Sequence, residues 1–188
     1  MSEYPQAEKI LSNAFSNAFS NKTVGLYYFY SNNESQPRAY HYYPNTVGWP
    51  DVVLCVRENQ NPMDEFTTLL FETINSKSED GFTKLEQEAY LGTIPREQFA
   101  KEIVRCEFEA TKSTRDALFT LKLKRKEING SDYYRSFAEC PTNFDDFLSY
   151  SKKLSSQRDV LKEYELKYDS LRKMFSDSNS ASNSPAKN

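Results

Sequence analysis

Apolar residues at Ile10, Leu11, Ala14, Phe15, Ala18 and Phe19 follow the i, i+3, i+4, i+7 stripe of an amphipathic helix, which predicts a helix from about Gln6 to Ser20. The doubled Ser-Asn-Ala-Phe at 12–15 and 16–19 is a four-residue step that keeps small and aromatic residues on one helix face. The pattern then changes to β. Thr23–Tyr30 and Arg38–Tyr43 are two β-branched and aromatic runs separated by the polar stretch Ser31–Pro37, which reads as a β-hairpin. Alternation puts Tyr40 and Tyr42 on one face and His41 and Tyr43 on the other. After a turn containing Pro44, Asn45, Gly48, Trp49 and Pro50, Asp51–Arg57 is the most apolar stretch and the best candidate for a central strand.

From there the period is helical. Asn61, Pro62 and Asp64 supply a cap, a first-turn proline and a first-turn acid for a helix running to about Ser76. A shorter helix follows near Phe82–Leu91, closed by Gly92. A long helix from about Pro95 to Ile128 has Phe99, Ile103, Cys106, Ala110, Ala117 and Leu121 on one face and stops at Asn129-Gly130. Thr142 with Asp145 starts a short helix through Tyr150, and Ser156 with Asp159 starts the last one. In that last helix Leu161, Tyr164, Tyr168, Leu171 and Phe175 are spaced to lie against another helix, expected to be the long one; pairing with another chain is the alternative. The Ser- and Asn-rich stretch 176–188 lacks apolar residues to offset its ordering entropy and is expected to be a disordered tail. The expected fold is α+β: one domain over 1–175, a small antiparallel sheet of about three strands, an N-terminal helix and a C-terminal helical array.

Composition narrows the function classes. With 188 residues, 24 Lys+Arg, 27 Asp+Glu and a net charge of -3, bulk charge argues against an electrostatic nucleic-acid binder. Charge is uneven, with 12 acids to 5 bases over Glu58–Glu109 and 10 acids to 14 bases over Ala110–Phe175. The basic run Lys122–Lys126 reads as a solvated helix end. No apolar run approaches the roughly 20 residues of a membrane span, and the first residues lack a signal-peptide pattern, so a cytoplasmic protein is expected. Three widely spaced cysteines, Cys55, Cys106 and Cys140, fit reduced core thiols.

One histidine, His41, rules out zinc sites built on several imidazoles, and five glycines leave no phosphate-cradling loop. No cofactor is implied. Aromatic residues at Tyr27–Tyr30 and Tyr40–Tyr43 have few basic companions, so they read as a sheet face under a helix, not as a base-stacking platform.

Helix, hairpin, apolar strand and then a helix carrying Phe71-Glu72-Thr73-Ile74-Asn75 resembles the core of zincin-type metallopeptidases over about Thr23 to Leu123, where the helix carries H-E-x-x-H. The resemblance implies that Phe71 and Asn75 stand where two metal-ligand histidines would be, that Glu72 keeps the catalytic acid, and that Glu107 or Glu109 holds the place of a third ligand. Phenylalanine cannot ligate, so it implies a chain that has lost zinc and peptidase activity. Read as packing, Leu70, Phe71 and Ile74 are core residues and Glu72 is a surface acid or pairs with Arg105.

Two functions follow. The first is a non-catalytic interaction or scaffold protein with a protein partner, monomeric or weakly self-associating, whose surface is an aromatic patch near Tyr40, Tyr42 and Trp49. The alternative is a carboxylate-site hydrolase at Glu72, Glu107 and Glu109, metal-dependent if the acids recruit a cation.

Overall fold

The strand of highest apolar content takes the middle of the sheet. In the computed structural model, which describes residues 5–30, 38–44, 46–58, 61–121, 130–154 and 159–182, three strands form: β1 (Val24–Phe29), β2 (Ala39–Tyr42) and β3 (Val52–Arg57). Their order is β1-β3-β2. β3 pairs in parallel with β1, Val24 to Val52 through Phe29 to Arg57, and antiparallel with β2, Ala39 to Val56 through Tyr42 to Val53. The expected hairpin is therefore absent, and the sheet is mixed. The reason is burial: Val52, Val53, Leu54 and Val56 are fully buried and Cys55 nearly so. Only a strand flanked on both edges can bury such a run on both faces.

The chain divides into two compact units, Met1–Lys77 with Ala110–Cys140, and Ser78–Glu109 with Pro141–Asn188. The first holds the sheet. One sheet face carries Val52, Leu54, Val56 and Ala39, which pack with Leu69 of α2 (Pro62–Asn75) and Phe19 of α1 (Pro5–Phe19). A second core joins Ala7 of α1, Met63 and Leu70 of α2, Leu118 and Leu121, and Tyr134 and Phe137 of α5 (Asp132–Ala138). The sequence pattern gave no expectation for α5, which starts at Ser131, whose Oγ accepts from the Tyr134 N–H. Asn61 caps α2 as expected, its Oδ1 accepting from the Met63 N–H.

Buried Asp64 ties this unit together. Its carboxylate accepts from Arg38 Nη1 at 2.8 Å, from Ser131 Oγ, and from the Tyr133 N–H at 3.3 Å. One side chain thus links the start of α2, the segment leading into β2 and the first turn of α5.

In the second unit α3 (Glu79–Leu91) begins three residues before its expected start and ends at Gly92, whose φ of 76° is left-handed. The expected partner of the last helix was the long helix, here α4 (Arg96–Thr120). Instead, α7 (Val160–Ser182) packs on α3 as well as on the first half of α4: Tyr164, Tyr168 and Leu171 lie against Ala89, Ile94, Phe99 and Ile103. Arg96 holds Glu165 at 2.5 Å and Asp169 at 2.8 Å. The expected continuation of α4 to Ile128 lies outside the described residues. α6 (Phe144–Leu154) is capped by Asn143, whose Oδ1 accepts from the Asp146 N–H, one residue later than the Thr142 start expected. α7 runs on through Ser182 where a disordered tail was expected from Ser176; Tyr90 meets Phe175 edge-on at 5.1 Å and its hydroxyl lies 3.1 Å from Ser178 Oγ. Residues 183–188 lie outside the described part.

Candidate functional site

Alternation along the strands separates two chemistries. Toward the helices points His41, whose Nδ1 lies 2.7 Å from Glu72 Oε2, each side chain only 10% exposed. The Tyr43 ring meets the imidazole edge-on at 6.0 Å, and the Tyr43 hydroxyl donates to the Ser76 carbonyl at 3.1 Å. Glu72 is therefore not a surface acid, and its partner is His41; Arg105 lies near Glu102 at 3.6 Å and over the Phe144 ring at 4.9 Å. The chain's single histidine and its candidate catalytic acid are brought together, a contact that the reading of each alone did not foresee.

Of the other acid-site candidates, Phe71 is engaged in packing and Glu107 in a hydrogen bond. Phe71 meets Phe137 obliquely at 5.2 Å, a packing contact. Asn75 is buried on the same helix, one turn beyond Glu72, and its Oδ1 lacks a hydrogen-bond partner among the described residues, as does the Oγ1 of buried Thr68 one turn before. Glu107 accepts from the Tyr164 hydroxyl in the second unit, where Glu109 also belongs, whereas Glu72 belongs to the first. Among the described residues no group of three or more His, Cys, Asp or Glu side chains is placed to hold a metal ion.

The opposite sheet face carries the aromatic set. Register places Tyr40, Cys55 and Tyr27 in one row and Tyr42, Val53 and Gly25 in the next. Tyr40 and Tyr42 are stacked at 6.3 Å, and Phe29 meets Tyr40 at 5.7 Å. Tyr27, Tyr40 and Tyr42 remain 49%, 43% and 38% exposed, while Val53 and Cys55 between them are buried. The expectation of an aromatic face covered by a helix holds for the His41 side alone; this face is open. Hydrogen bonding to the Cys55 thiol, then burial, raises the Tyr40 phenol above its ordinary pKa. Gly25 fits here because a Cβ would lie 2.9 Å from both Pro50 Cγ and the Tyr27 ring. Trp49, 51% exposed, immediately precedes that proline. Tyr27 and Phe29 were not singled out from the sequence as contact residues, although the pairing of β1 with β3 places them in this set.

Charge is nearly absent from the strands: besides His41 on the covered face, Arg57 at the end of β3 is their one ionic side chain. The three cysteines are free, as expected, with Cys55 and Cys140 buried. No helix among the described residues is long and apolar enough to cross a membrane. No protein-family model, no curated protein and no solved structure matches the chain.

Proposed function

We propose that this chain is a non-catalytic interaction protein that receives an extended, uncharged segment of a partner protein on the open face of its sheet. The observation that carries the reading is the row of half-exposed rings, Tyr27, Tyr40 and Tyr42, over the buried Val53 and Cys55. Rigid aromatic side chains provide contact area with little loss of rotamer freedom, and their hydroxyls give direction by hydrogen bonding. The near absence of charge disfavours a polyanion and favours apolar or proline-rich sequence, which stacks on aromatic surfaces without counter-charges. In this reading α2, with Phe71 and Asn75 in place of two histidines, is a helix of zincin-like descent given over to packing. The hydrolase reading has less support, because Glu72 is engaged by His41 and Glu107 by Tyr164.

Trp49 is the only tryptophan and a built-in reporter. Titration with a proline-rich peptide, against acidic and basic peptides of equal length, should change its emission for the proline-rich peptide alone. Tyr40→Ala and Tyr42→Ala should each weaken that binding about tenfold or more, as central aromatic contacts do. Binding that survives both substitutions, or no binding by any peptide, would overturn the reading.

A further inference from the structure

β1 is an edge strand of unusual character. Its residues, Val-Gly-Leu-Tyr-Tyr-Phe, include no charge and no proline. Leu26, Tyr27 and Tyr28, consecutive residues that point to alternate faces, are 45%, 49% and 49% exposed, so the strand is open on both sides. Among the described residues no strand pairs with its outer edge. Natural edges are guarded by lysine, proline, bulges or a covering element, and an unguarded edge is a template for another strand.

The backbone shows which groups wait there. The Thr23 carbonyl accepts from the Val52 N–H of β3 and the Phe29 carbonyl from the Glu58 N–H just past the end of β3. Alternation then aims the N–H and C=O groups of Val24, Leu26 and Tyr28 outward. We infer that this edge pairs with the β1 of a second copy of the chain, antiparallel about a two-fold axis at Leu26, joining two three-stranded sheets into one. Edge pairing uses backbone groups of β1 and does not depend on what the open aromatic face binds.

Self-complementarity selects the second copy as occupant. About Leu26, Val24 stands opposite Tyr28 of the other copy and Gly25 opposite Tyr27, so every large ring meets a smaller residue. With no charge in the strand, two copies meet without repulsion, and nothing on it would select a charged partner strand. Three outward residues per copy give about six hydrogen bonds. Half-exposed tyrosine and leucine side chains supply roughly 400 Å² per copy. The total, roughly 1,000 Å² with the backbone edge, is that of a weak and concentration-dependent dimer.

Sedimentation of the full chain up to about 1 mM should show the mass rising from 21.9 kDa toward twice that value. Leu26→Lys sets two charges against each other at the axis and should keep the mass monomeric while circular dichroism is unchanged. Register is tested in a Cys106→Ser background. Leu26→Cys should form a disulfide-linked dimer on mild oxidation, since opposed Cα atoms about 5.5 Å apart can be bridged. Val24→Cys should not, because two such residues would stand about 13 Å apart along the strands. A wild-type chain that stays monomeric throughout, a dimer that persists in Leu26→Lys, or equal cross-linking at 24 and 26 would overturn the inference.

Discussion

Replacing Asp64 by alanine tests whether one buried carboxylate joins three parts of the first unit. Asp64 is 6% exposed and Ser131 is fully buried. The substitution strands the buried Ser131 hydroxyl, worth about 1–3 kcal/mol when a buried donor loses its acceptor, and removes the part-buried contact of the Tyr133 N–H, worth about 0.5–1.5 kcal/mol. Arg38 contributes less: its side chain is 38% exposed, so water replaces much of the lost ion pair and about 0–1 kcal/mol is assigned to it. The expected loss is about 3–4 kcal/mol, a large share of a typical domain's stability. Asp64→Asn keeps one amide oxygen for the two donors and should cost about 1 kcal/mol. Ser131→Ala removes the α5 cap as well as the contact and should cost about 1–2 kcal/mol. Urea unfolding followed by far-ultraviolet circular dichroism measures all three. Because Asp64 and Ser131 share a bond, their double variant should lose less than the sum of the singles. A loss under about 1 kcal/mol for Asp64→Ala, or additivity with Ser131→Ala, would refute the argument.

The His41–Glu72 contact should appear in the same assay as a coupling of about 1–3 kcal/mol between His41→Ala and Glu72→Ala, and additive effects would refute direct contact. Gly92→Ala should cost about 1–2 kcal/mol in thermal unfolding, because φ is 76° and the new Cβ would stand 2.7 Å from the Arg172 guanidinium, which donates to the Tyr90 carbonyl. The Tyr28 hydroxyl donates to Glu65 at 2.7 Å, and that bond, with burial and the carboxylate's charge, pushes its pKa up to about 12 from 10.0. The folded chain therefore holds this proton when the unfolded chain has released it. Stability from Tyr28 is fully present below pH 10.0 and is lost as pH rises toward about 12. Alkaline unfolding curves should fall less steeply over that window for Tyr28→Phe than for the natural chain; identical slopes would refute the assignment.

The helices were legible because their signals are local. The stripe from Ile10 to Phe19, the Asn61-Pro62 start and the Gly92 stop all mark elements seen in the structure. α5 escaped because seven residues span barely two turns, too few for a period to stand out. α7 passes its expected end because the Tyr90–Phe175 contact holds the helix where propensity alone would stop it. The strands were recognised but wrongly paired. Proximity favours a hairpin between β1 and β2, while the unbroken apolar run of β3 requires neighbours on both edges. Given three strands, the second requirement prevails. The candidate site was legible by halves: alternation separated His41 from Tyr40 and Tyr42, but the meeting of His41 with Glu72 depends on how α2 crosses the sheet.

Placing β3 in the centre also fixes where the molecule can meet others. With β3 paired to it on one edge, β1 is outermost on the other, where its uncharged backbone groups face outward, and Tyr27 and Tyr40 stand on either side of Cys55. The same choice therefore creates a self-complementary edge and an aromatic face from one strand. The two surfaces nevertheless use different atoms: edge pairing uses the backbone of Val24, Leu26 and Tyr28, while the face uses the rings of Tyr27, Tyr40 and Tyr42. Dimerisation would extend the face across the axis, so each copy would add its rings to one continuous surface. A partner segment long enough to cross the axis would then bind with the effective concentration of a linked second site, and Leu26→Lys should weaken a long segment more than a short one.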